Sequence, residues 1–67
     1  MNERRVRQLF QYDHLPPDLQ TTSAPFSALA LSLIEILPAS AGRTRALWKL
    51  WEAKNHAVEC KVNGGES

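Results

Sequence analysis

The sequence predicts an all-α protein: a short N-terminal helix followed by an antiparallel two-helix hairpin, assembled into a homo-oligomer. Three observations lead there. No stretch alternates apolar and polar residues and no Asn-Gly type turn joins two apolar runs, so no strand is expected. Apolar residues recur instead at spacings of three and four in three segments. Prolines at positions 16, 17 and 38 separate those segments, because the residue before a proline is pushed out of helical geometry.

The first segment, within residues 1–12, places Val6, Leu9 and Phe10 at i, i+3 and i+4, a narrow apolar stripe on an otherwise charged helix. Asp13-His14-Leu15-Pro16-Pro17 stops it. The second helix is expected over 18–37, with Asp18 or Ser23 as N-cap and Pro25 as a kink point if the helix begins at Asp18. From Ala24 to Leu37 its polar residues are Ser27, Ser32 and Glu35, which fall within an arc of about 140° at 100° per residue. A helix apolar nearly all round must be covered on several sides, more than one small partner helix can do.

Pro38 ends that helix and Ser40 can cap the third, expected over 41–62, before a flexible tail at 63–67 containing Gly64-Gly65. One face of the third helix carries Ala46, Leu50, Ala53, Ala57 and Cys60, small enough to let another helix approach closely. Beside it run Leu47, Trp51 and Val58, and another face holds Arg45, Lys49, Glu52, His56 and Glu59 as charge pairs. The link from Pro38 to Ser40 is so short that the two long helices should run antiparallel.

The 67 residues allow one domain, which at this size usually leans on disulfides, a metal or a partner chain. The single cysteine, Cys60, permits no internal disulfide and reads first as a small buried apolar residue. Cys60, His14 and His56 lack metal-ligand spacing, so neither metal nor cofactor is expected and oligomerisation is favoured. No apolar run is long enough to span a bilayer, and the charged start from Met1 to Arg7 is not a secretory signal. With one cysteine, the expected location is a reducing cytoplasm. Eight basic against seven acidic residues, net +1, argue against a dedicated binder of long nucleic acid.

Enzyme chemistry needs a nucleophile with its base, paired carboxylates or metal ligands, and none of these is evident. Binding has better material. Tyr12 and His14 lie in a proline-stiffened segment where a ring can face outward to stack. Ser40, Gly42, Arg43, Thr44 and Arg45 open the third helix, where free N–H groups and the helix dipole favour an anion. Lys54 lies between the small-residue stripe and the Leu47/Trp51/Val58 stripe, either snorkelling to water or reaching an anion held between protomers.

Three stretches in this order resemble the anti-CBASS cyclic-oligonucleotide sponges of tailed phages. They are Leu9-Phe10-Gln11-Tyr12-Asp13-His14-Leu15-Pro16-Pro17, the apolar helix ending at Ile36-Leu37-Pro38, and Arg43-Thr44-Arg45-Ala46-Leu47-Trp48-Lys49-Leu50-Trp51-Glu52-Ala53-Lys54-Asn55. The resemblance implies a helical protomer that forms a hexamer. It also implies sequestration, without hydrolysis, of the cyclic di- and trinucleotide messengers of bacterial CBASS immunity, an anti-defence role in the host cytoplasm. Carried over, Tyr12 would stack on a base, and Thr44 and Arg45, with Arg43, would hold ribose or phosphate. Lys54 and Asn55 would serve a second type of pocket. The family places a basic residue early in its first long helix, whereas Thr21 to Ser27 here contains none. Thr22 or Ser23 would hydrogen-bond the phosphate in its stead. Two rivals are a helical protein-interaction module without a nucleotide ligand and a small nucleic-acid binder using Arg4, Arg5, Arg7, Arg43 and Arg45.

Overall fold

The computed structural model describes residues 1–64, which form three helices and no strand. Helix α1 spans Glu3–Leu9, α2 spans Pro17–Ile36 and α3 spans Ala41–Val62.

Each boundary has a local cause. Asn2 caps α1 by accepting from the Arg5 N–H at 2.9 Å, and Glu3 sits at the positive end of its dipole. The helix stops at Leu9, earlier than its apolar spacing suggests, and Phe10 closes it with an N–H bond to the Val6 carbonyl. Helix α2 begins one residue before Asp18. Pro17 occupies its first turn, where a missing N–H costs nothing, and neither Asp18 nor Ser23 acts as the cap. The helix runs through Pro25, which lies on an exposed face. Ser40 caps α3 by accepting from the Arg43 N–H at 3.1 Å. Gly64, at φ 68°, takes the left-handed conformation just past the helix end that a side chain would disfavour. The tail residues 65–67 lie outside the described residues.

The fully buried apolar side chains are Val6, Phe10, Ala30 and Leu47, so all three helices meet at one small core. Phe26, Leu33, Ile34, Leu50 and Trp51 pack around it half-buried. Burying Phe10 or Leu47 contributes on the order of 1.5–3 kcal/mol each. Arg43, in the first turn of α3, reaches the end of α2, while Thr22, early in α2, shares a cavity wall with Ala57, Cys60 and Lys61, late in α3.

Two expectations about α3 change. Its inward side runs through buried Leu47 and half-buried Leu50, Trp51, Lys54 and Val58; of the small-residue stripe Ala46 and Ala53 are exposed and Ala57 is half-buried. Larger side chains remove more apolar area from water, so they set the packing face. Cys60 is exposed as well, on that same outer stripe, and is not a core residue. Helix α2 leaves Leu29 49% and Ile36 72% exposed, so part of its apolar surface is uncovered. No helix among the described residues is long and apolar enough to cross a membrane.

Candidate functional site

Residues 51, 54, 55 and 58 stand at i, i+3, i+4 and i+7 on α3, so Trp51, Lys54, Asn55 and Val58 face one way. Across from them α1 and its exit supply Gln8, Leu9 and Gln11, and the α1–α2 connection supplies His14 and Leu15. Together they line an open cleft of about 370 Å³, within the range of small-ligand sites.

Local structure fixes this wall. Tyr12 to Leu15 form a turn in which the Leu15 N–H donates to the Tyr12 carbonyl at 3.0 Å. From α2, the Gln20 amide donates to the carbonyls of Leu15 at 2.8 Å and Asp13 at 3.2 Å, bracing the backbone on either side of His14. The Trp51 ring is half-buried and meets Trp48 edge-to-face, centroids 5.5 Å apart. Lys54 is half-buried with no ion-pair partner among the described residues, and burial holds its ammonium below the ordinary lysine range. The lining contains no carboxylate. A cation short of water, three side-chain amides, an imidazole and an indole therefore line one space.

The other expected site residues lie in different places. Tyr12, half-buried, lines a wider groove of about 680 Å³ with Arg4, Arg7, Asp13, Ser27 and Leu31. There the Arg7 guanidinium pairs with Glu3 at 2.8 Å. Arg43 and Thr44 line a third cavity of about 570 Å³ with Arg5 and Ser40. The Arg43 guanidinium is held by main-chain carbonyls: Nη2 donates to Met1 at 2.9 Å, and Nη1 to Ile34 at 3.4 Å and Leu37 at 3.5 Å. Helix ends leave such carbonyls without partners, which makes Arg43 a C-terminal clamp for α2. The Thr44 hydroxyl accepts from the Met1 ammonium at 3.1 Å. Arg45 is exposed and lines none of these cavities.

The Thr22 hydroxyl donates back to the Asp18 carbonyl at 3.2 Å and lines a fourth cavity beside Lys61. Ser23 is buried and its Oγ has no partner. The chain thus gathers His14, Lys54 and Asn55, and keeps Tyr12, Thr22, the Arg43/Thr44 pair and Arg45 apart. Sequence reasoning left open whether Trp51 lines a pocket, and it missed Gln8 and Gln11 as wall residues. The i, i+3, i+4 spacing of Trp51 with Lys54 and Asn55 was a usable signal for the first, and nothing marked the two glutamines.

Among the described residues no cluster of three or more His, Cys, Asp or Glu side chains gathers to hold a metal ion. No protein family, curated protein or solved structure matches the chain.

Proposed function

We propose that the protein binds cyclic di- and trinucleotide second messengers and holds them without hydrolysis, acting as a phage-encoded sponge against CBASS signalling in the host cytoplasm. The observation that supports this best is the cavity in which His14, Lys54 and Asn55 converge around the Trp51 indole. It offers a planar wall for a base, an unpaired cation for a phosphate and amides for polar edges, which is the chemistry of nucleotide capture. Its lining lacks the paired carboxylates that hydrolysis by general acid and base would use.

Assembly belongs to this reading. Protomers whose α2 and α3 pair antiparallel associate, as a hexamer, through the uncovered parts of α2. Tyr12 and the Thr44–Arg45 pair, apart on one protomer, then meet the ligand from neighbouring copies. Long nucleic acid and membranes are not partners. Exposed Leu29 and Ile36 favour one rival, a helical interaction module that binds another protein and no nucleotide.

Calorimetry of the purified protein against cyclic di- and trinucleotides, with mass from light scattering, tests the proposal. Tight binding by a particle several times 7.5 kDa, with the nucleotide recovered intact, is the expected result. A stable oligomer that ignores every cyclic nucleotide would leave the interaction module standing instead.

A further inference from the structure

Helix α3 brings Trp51 and Lys54 to one wall of the same cavity, a single turn apart, about 4.5 Å of rise along the axis. Their surroundings differ in kind. Trp51 meets Trp48 in a T-shaped pair and packs against the apolar core, so its ring is held in place before any ligand arrives. Lys54 lies on the inward side of the same helix, half out of water and with no carboxylate beside it among the described residues. A partly desolvated cation without a partner is costly, and an incoming anion offsets that cost. Gln8, Gln11 and Asn55 add side-chain amides, each able to donate and accept, around the remaining rim.

We infer that Trp51 and Lys54 are the two fixed poles of one ligand subsite, the indole stacking on a planar ring while the ammonium holds an anionic group tethered to that ring. A nucleoside monophosphate is a natural ligand of that kind. Ring and anion are both required, because neither pole alone immobilises a small ligand against its lost translational freedom. The cavity volume of about 370 Å³ suits one such unit. The amides favour a ring with both donor and acceptor edges over a plain hydrocarbon ring. This inference rests on the binding reading above and assigns Trp51 a ligand-contacting role in it.

The test uses the full chain carrying Trp48→Phe, so that Trp51 is its one indole, titrated with adenosine 5′-monophosphate while its emission is followed. Saturable quenching is expected. Adenosine, which lacks the phosphate, and ribose 5-phosphate, which lacks the ring, should each bind roughly tenfold more weakly or worse. In the same background Lys54→Gln, which keeps most of the stem, should weaken the monophosphate by a similar factor without lowering the melting temperature. Trp51→Phe on the natural Trp48 background, followed by calorimetry, should retain part of the affinity, and an aliphatic Trp51→Leu should lose it.

No saturable response to the monophosphate, or equal affinity in the Lys54→Gln chain, overturns the subsite. Cyclic oligonucleotides that bind equally well to natural and Lys54→Gln chains overturn it too, yet leave the sponge proposal intact. Monophosphate binding that depends on both poles, with no binding of cyclic oligonucleotides, upholds the subsite and removes the sponge.

Discussion

Arg43 and Lys54 are two cations on one face of α3, eleven residues or about three turns apart. Both are half-buried, and a helical wheel places them almost in register. Their circumstances are opposite. Arg43 stands where α2 ends, and the two Nη atoms of its guanidinium close on three main-chain carbonyls, while its buried Nε has no partner. Lys54 stands where α3 passes the α1–α2 connection, and it meets neither carboxylate nor carbonyl among the described residues. Two further polar groups repeat the contrast on α2. Gln20 gives its amide to the carbonyls of Asp13 and Leu15, whereas the buried Ser23 hydroxyl has no partner. Partners decide which polar groups hold the fold together and which are free for a ligand. Charge and helical position do not.

The sharpest way to break this contrast is to remove Arg43. Arg43→Ala should lower unfolding stability by about 2–3 kcal/mol, since bonds from a charged donor to part-buried carbonyls would go unmade. Arg43→Lys should restore less than half of the loss, because an ammonium cannot reproduce the planar fork. Chemical denaturation measures both. A chain that keeps its stability after Arg43→Ala but loses nucleotide binding would move Arg43 from the structural side of the comparison to the ligand side.

Gln20→Ala should cost less, about 1 kcal/mol, as two bonds to the connection are lost. Its second readout is amide hydrogen exchange, which should quicken at Leu15, whose N–H closes the turn that Gln20 braces. Unchanged exchange there would mean that the turn holds itself and that Gln20 is idle.

Much of the helical character was legible because it is written in short-range chemistry. Proline punctuation, a serine ahead of α3 and a three-and-four apolar rhythm act within a few residues of where they are read. The exceptions follow from competition at the same range. Asp18 and Ser23 resemble caps, yet Pro17 is already preorganised for a first turn, and Ser23 is drawn into the face that meets its neighbours. Phe10 keeps its expected place beside Val6 in the core, although the helix itself stops at Leu9 and Phe10 is its C-cap. The site was less legible. His14 and Lys54 are forty residues apart, and nothing local to either reports the other. The clamp formed by Arg43 was invisible for the same reason, because the carbonyls it serves lie at the end of α2 and at Met1. Cys60 misleads in the opposite sense: its type favours burial, yet it stands exposed near the end of α3, beyond the small core around Leu47.

Ser23→Ala probes the unpartnered side of the comparison in the reverse direction. Removing a buried hydroxyl without a hydrogen bond, and placing the better helix former there, should raise stability by about 0.5–1 kcal/mol. A loss of stability would show that the hydroxyl bonds back to a carbonyl of its own helix, as Thr21, Thr22 and Ser32 do.

Lys54→Met gives the smallest effect and bears most directly on the contrast. Replacing the ammonium while keeping an unbranched stem should stabilise the ligand-free protein slightly, by no more than about 0.5 kcal/mol. The pH dependence carries the diagnosis. Burial lowers the Lys54 pKa in the folded chain, so over the interval up to the ordinary lysine value the unfolded chain binds more protons than the folded one. Stability of the natural chain therefore rises with pH across that interval, and the advantage of Lys54→Met, fully present below the folded pKa, shrinks toward zero. Adenosine 5′-monophosphate should invert the ranking at neutral pH by stabilising the natural chain and not the variant. A pH-independent difference with no response to the nucleotide would mean that the ammonium reaches open water, and Lys54 would then differ from Arg43 only in being a surface charge.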